Sequence, residues 1–100
     1  MDQGKLLIVS GRVTIRPDRK EQAVAAALVM VEASRNEAGC REFRVFADLA
    51  DPYTLCIFEV WDNVESMTRH FQTPHMAAFQ EQLKKVAVGE PDVKRYVVAA

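Results

Sequence analysis

Between Lys5 and Arg16 the chain alternates with a period of two. Leu7, Val9, Gly11, Val13 and Ile15 fall on one side of an extended segment, and Ser10, Arg12, Thr14 and Arg16 on the other. Successive side chains of a strand point to opposite faces, so the pattern specifies a strand with one buried face. Pro17-Asp18 ends it, and the period then changes from 2 to 3.6. Val24, Ala27, Leu28 and Val31 make one stripe of a helix that runs to about Asn36, and Asp18 with Glu21 reads as its capping box. A half-buried strand followed at once by an amphipathic helix commits the chain to helices layered on a sheet.

The rest of the chain repeats the theme. Glu37-Ala38-Gly39 turns it. Glu42–Asp48 and Tyr53–Trp61 read as strands joined by ADLADP, whose Asp and Pro suit a turn. Asp62 with Glu65 forms a second capping box, opening a short helix that ends near Phe71. Thr73-Pro74 restarts a helix, since Thr suits the N-cap and Pro the first helical position. It continues to about Val88, where Gly89-Glu90-Pro91 stops it, and Val93–Ala99 is a last strand. The order β-α-β-β-α-β, with the second helix broken, predicts a ferredoxin-like α+β sandwich in one domain over residues 1–100.

A formal charge of −1 and scattered basic residues argue against a nucleic-acid partner. No run approaches the roughly 20 apolar residues that a membrane helix needs, and MDQGKLLIVSG lacks the parts of a signal peptide. The chain is expected to be cytoplasmic, without a membrane partner. Cys40 and Cys56 fit no metal spacing and read as reduced thiols. A sheet covered on one side leaves its other face bare, and here that face carries Leu6 and Ile8 beside Ser10 and Arg12. An apolar sheet face of that kind predicts a homodimer related by a two-fold axis.

Chemistry concentrates in FEVWDNVESMTRHFQTPHMAAF, residues 58–79. At about 100° per residue, His70 and His75 each fall at the border between the apolar stripe of their helix and solvent. A neutral imidazole there suits a general base near neutral pH. Glu59 and Trp61 share one face of their strand. Glu59 either pairs with Arg44 or Arg12 or fixes a donor, and the Trp61 indole is either a core anchor or a pocket wall offering its N–H. Asn63, Phe79 and Tyr96 complete the candidate substrate-binding set. His70 and His75 are five apart across a helix break, with no cysteine or second carboxylate near in sequence, so no metal site and no cofactor are expected.

The stretch EAGCREFRVFADLADPYTLCIFEVWDNVESMTRHFQTPHMAAFQEQL, residues 37–83, resembles the antibiotic biosynthesis monooxygenase family of small dimeric α+β barrels. The resemblance rests on Gly39, Asp51-Pro52, Glu59, Trp61, His70, Thr73-Pro74-His75 and Phe79. It implies a cofactor-independent monooxygenase acting with O2 on a quinol-like or polycyclic aromatic, with His70 as base and His75 as orienter or second base. Alternatives are an isomerase of a small polar or phosphorylated metabolite and a non-catalytic small-molecule-binding dimer. The haem-degrading branch looks like it uses an Asn on the first strand and a His in the last helix. Here Ser10 and Phe79-Gln80 stand at those places.

Overall fold

The computed structural model describes residues 5–99. Strand β1 (Lys5–Ile15) lies at the centre of a four-stranded sheet ordered β2-β3-β1-β4, in which every pairing is antiparallel. The other strands are β2 (Cys40–Ala47), β3 (Thr54–Trp61) and β4 (Ala87–Ala99). Helices α1 (Lys20–Arg35), α2 (Val64–Phe71) and α3 (Pro74–Val86) complete the ferredoxin-like α+β sandwich that the sequence predicts, with the second helix broken into α2 and α3.

The β1 alternation holds throughout: Leu7, Val9, Val13 and Ile15 are all buried under the helices. Register carries that face across the sheet. Leu7 pairs with Trp61, and Val9 with Glu59, while Phe43 of β2 pairs with Glu59. Leu7, Val9, Phe43 and Trp61 pack with Ala27, Met30 and Phe79 from the helices in the main core. A second cluster of Val13, Ile15, Ala23, Leu55 and Val86 fills the other end. On the opposite sheet face lie Leu6 and Ile8, with Phe58 and Val60 from β3 and Tyr96 and Val98 from β4.

Four local expectations are corrected. Pro17 starts a short 3-10 turn through Arg19, so Asp18 is already inside a helical turn and cannot cap. Arg19 takes the N-cap position of α1 with no side-chain cap bond. The buried stripe of α1 is Ala23, Ala27, Met30, Val31 and Ser34, whereas Val24 and Leu28 are exposed. Small side chains let the helix approach the sheet closely, which outweighs the greater hydrophobicity of Val24 and Leu28. Asn63, not Asp62, caps α2 by accepting from the Ser66 N–H at 2.9 Å. Asp62 instead accepts from Arg41 Nε at 2.5 Å.

The fourth correction concerns Gly89-Glu90-Pro91. Helix α3 stops at Val86, and β4 begins immediately, with Ala87 opposite Ile15 and Val88 opposite Thr14. The register then jumps to Asp92 opposite Arg12, so the Gly-Glu-Pro segment bulges out of the ladder. Pro91 has no N–H to donate, and Gly89 takes a φ of 73°, open to glycine. The breaker residues therefore shape a bulge within a long strand.

Gly39 holds the turn that carries the chain from α1 into β2. Its φ is 85°, its carbonyl accepts from the Asp62 N–H at 2.9 Å, and a Cβ there would overlap the Ser66 side chain. Gly39→Ala combines a left-handed backbone with that overlap, and should destabilise the fold by about 3 kcal/mol. The urea midpoint, with an unchanged slope, measures it; a midpoint equal to that of the unmodified chain would show that the turn can relax.

Candidate functional site

Three elements converge at one carboxylate oxygen. Glu37 stands on the turn two residues before Gly39, His70 is on the last turn of α2, and His75 is the second residue of α3. Thr73 fixes the break between the helices: its hydroxyl donates to the His70 carbonyl at 2.7 Å and accepts from the Met76 N–H at 3.3 Å. With that break set, His70 Nδ1 and His75 Nε2 each lie 2.7 Å from Glu37 Oε2. An ionised Glu37 only accepts, so both nitrogens carry protons and both rings are held in defined tautomers.

His70 is fully buried. Its ring centroid is 4.8 Å from Trp61, 5.3 Å from Phe43 and 5.1 Å from Phe71. Burial pushes its pKa below the ordinary histidine value, and the bond to Glu37 offsets this only in part. Its other nitrogen, Nε2, is buried without a hydrogen-bond partner. The nearest carboxylate oxygen to it, Glu59 Oε1, is 3.8 Å away. Burial pushes Glu59 up to about 7, although the Trp61 Nε1–H donates to Oε1 at 2.9 Å and stabilises the anion.

His75 occupies a different setting. Its side chain is 22% exposed, and it lines a groove of about 380 Å³ between α1 and α3. Ala25, Ala26, Val29 and Phe79 give the groove apolar walls, and no Lys or Arg lines it. At its rim the Gln22 amide donates to Gln82 Oε1 at 3.1 Å, tying the helices together. The arrangement offers an apolar recess with one imidazole whose tautomer is fixed from behind by Glu37.

The antibiotic biosynthesis monooxygenase family model matches residues 6–82. The chain belongs to the antibiotic biosynthesis monooxygenase family. An uncharacterized protein of Synechocystis sp. is 31% identical over 93 residues; the match covers 93% of this chain, which spans 63% of that protein's length. A conserved protein from Methanosarcina mazei Go1 superposes with a TM-score of 0.90 at 19% identity, covering 95% of this chain and 94% of the other. A structure described as an antibiotic biosynthesis monooxygenase superposes with a TM-score of 0.86 at 21% identity, covering 90% and 95%. At such identities these structural likenesses establish the fold alone.

In this member of the antibiotic biosynthesis monooxygenase family, the residues singled out from sequence are only partly assembled. His70, Glu59 and Trp61 form one buried group and His75 joins it through Glu37. The border position expected for His70 is corrected, because α2 packs its last turn against Phe43 and Trp61. Neither arginine partner of Glu59 is realised: Arg12 is beside Asp48 and Arg44 beside Glu42, on the far sheet face. Trp61 is a core residue whose N–H is used by Glu59. Asn63 caps α2, and Phe79 is buried at the groove wall. Tyr96, opposite Ile8, lies on the other face of the sheet and is 47% exposed, away from the histidines.

Glu37 is the residue that sequence reading missed. It precedes His70 by 33 positions and His75 by 38, and local pattern assigned it to a turn. Its ligand atom and those of the two histidines all lie within 4.8 Å of one another. Spacing between His70 and His75 alone could not show this third potential ligand.

Glu59 makes stability depend on pH. Its folded pKa, about 7, is above the ordinary glutamate value of 4.5, so the folded state favours the protonated form. Its charge therefore costs stability as pH rises from about 4.5 to 7. His70 acts oppositely, losing stability as pH falls below its unfolded pKa, so the two are separated by a difference measurement. Glu59→Gln should gain on the unmodified chain by up to about 3 kcal/mol between pH 4.5 and 8. Chemical denaturation of both at several pH values reads this, and a constant difference would show that Glu59 titrates alike in the folded and unfolded chain.

Proposed function

We propose that the chain oxygenates an uncharged quinol-like aromatic with O2, without a metal or organic cofactor, in the groove between α1 and α3. The observation that carries this reading is His75, which lines that apolar groove while Glu37 holds its Nε2–H. Its Nδ1 is then the unprotonated nitrogen available as a base. His75 takes the role first expected of His70, whose buried ring anchors Glu37 from the other side. A groove without Lys or Arg favours an uncharged ring over a phosphorylated metabolite.

The electrons come from the substrate. A quinol O–H gives its proton to His75 Nδ1, and the resulting anion passes one electron to O2. The radical pair couples at an unsubstituted ring carbon, making a C–O bond. The O–O bond then breaks as that carbon loses its proton, releasing water and leaving a hydroxyquinone. Quinol and O2 thus give hydroxyquinone and water, O2 accepting four electrons, all from the ring. Apolar walls keep competing water from the anion.

O2 uptake with naphthalene-1,4-diol tests the reading. The unmodified chain should consume one O2 per quinol well above the uncatalysed rate. His75→Ala should lower the rate about 10²-fold, the usual scale for a lost general base, and Glu37→Gln should lower it less. A melting-temperature shift without O2 uptake would replace oxygenation by simple binding, and uptake unaffected by His75→Ala would exclude this base.

The same reading includes a homodimer through the open sheet face. Leu6, Ile8, Phe58, Val60 and Val98 put apolar side chains there around Tyr96, and burial of such a face favours association. Sedimentation equilibrium at micromolar concentration should give twice the chain mass, and Ile8→Lys should give the single-chain mass. A monomer for the unmodified chain would remove the argument from the open face. Among the described residues no helix is long and apolar enough to cross a membrane.

A further inference from the structure

The cluster that orients His75 also has the composition of a metal site. We infer that Glu37, His70 and His75 bind one divalent ion of the zinc class, through Glu37 Oε2, His70 Nδ1 and His75 Nε2. This goes beyond the oxygenase reading and does not rest on it. The ligand atoms come from three separate elements and already lie within 4.8 Å of one another. Each nitrogen is 2.7 Å from the carboxylate oxygen. An ion held at about 2.0–2.2 Å from each atom needs those separations to open to about 3.0–3.4 Å. The two nitrogens, within 4.8 Å of each other, must also close toward that separation, so the rearrangement is on the order of 1 Å. The parts that must move are a turn residue and the first turn of α3, whose side chains are 14% and 22% exposed.

A second observation points the same way. When a metal takes His70 Nδ1, the ring proton moves to Nε2. That nitrogen is the buried atom that now lacks a partner, and Glu59 Oε1 lies 3.8 Å from it. A ligating histidine that gives its remaining N–H to a carboxylate is the usual second layer of a metal site. Glu59 is in place for that role, with the Trp61 N–H holding its Oε1. The charges balance as well: a dication offsets the two carboxylates, Glu37 and Glu59, that flank His70. Two imidazoles and one carboxylate favour zinc, cobalt, nickel or copper ions over magnesium or calcium. Three protein ligands leave at least one position for water.

Metal binding has a consequence for the groove. Coordination through His75 Nε2 transfers its proton to Nδ1, the nitrogen proposed as base. The ion would therefore inhibit O2 uptake by the unmodified chain, and a chelator would restore it.

The test uses the whole purified chain after dialysis against EDTA. Added Co²⁺ should produce visible ligand-field bands that saturate at one ion per chain, and Zn²⁺ should displace it. Glu37→Gln and His75→Ala should each weaken binding by about 100-fold or more, and Glu59→Gln by about 10-fold. His75 is partly exposed, so His75→Ala retains the fold, which circular dichroism checks. Cys40 lies near Glu37, but burial first of all pushes its thiol up to about 11, making it a poor ligand. Bands that vanish in Cys40→Ser, or persist in Glu37→Gln and His75→Ala, would overturn the assignment. So would the absence of saturable binding in the unmodified chain. Co²⁺ absorption is independent of turnover: metal binding without O2 uptake refutes only the oxygenase reading, and uptake without metal binding refutes only the metal site.

Discussion

One oxygen atom organises this end of the molecule. Glu37 Oε2 accepts from a histidine on α2 and from another on α3, so the carboxylate joins the turn after α1 to both helices of the broken pair. A hydrogen bond to a charged acceptor is roughly twice as strong as a neutral one. Here the two bonds leave neither donor free to choose another tautomer. The position of Glu37 depends in turn on Gly39, whose left-handed φ directs the chain into β2. The position of the histidines depends on Thr73 and Pro74, which end one helix and begin the next without a loop.

From that junction the cluster reaches in two directions with different chemistry. Inward, His70 is packed among Trp61, Phe43 and Phe71 and faces Glu59. Low polarizability there disfavours charge on both His70 and Glu59, as the opposite directions of their shifts show. Outward, His75 meets an apolar groove. A group that must exchange protons with a ligand belongs at the accessible end. A group that must not wander belongs at the buried end. The two histidines, equivalent by helical angle in the sequence, are separated in kind by which helix end packs against β2 and β3.

The element order was legible because periodicity is a local property. The period-two alternation of β1 and the Thr73-Pro74 restart each determine their structure within a few positions. The capping boxes were less secure, because Pro17 and Asn63 each offer a competing way to start a helix. The α1 stripe failed for another reason. Hydrophobicity ranks Leu28 above Ala23, but closeness of approach to a sheet rewards the smaller side chain. Glu37 was out of reach altogether. A contact between residue 37 and residues 70 and 75 is a product of topology, and nothing in the local sequence marks a half-buried turn glutamate as their partner. The metal geometry was hidden with it, since two histidines five apart look inadequate until the third ligand is known.

The sheet separates the two surfaces on which function can act. Strand β1 sends Leu7 and Val9 toward the helices and the cluster, and Leu6 and Ile8 to the far side. Whatever covers the far side touches Phe58, Val60 and Tyr96, none of which contributes to the groove or to the histidines. Association and ligand chemistry can therefore change independently, because alternate residues of the same strands serve each. The link between them is mechanical: β3 holds Glu59 and Trp61 on one face and Phe58 and Val60 on the other. Any twist imposed on that strand from the open side moves Glu59 relative to His70. A separation of 3.8 Å is just beyond hydrogen-bond reach, and with the His70 proton on Nδ1 a bond there needs both a shorter distance and a proton placed on Nε2 or on Glu59.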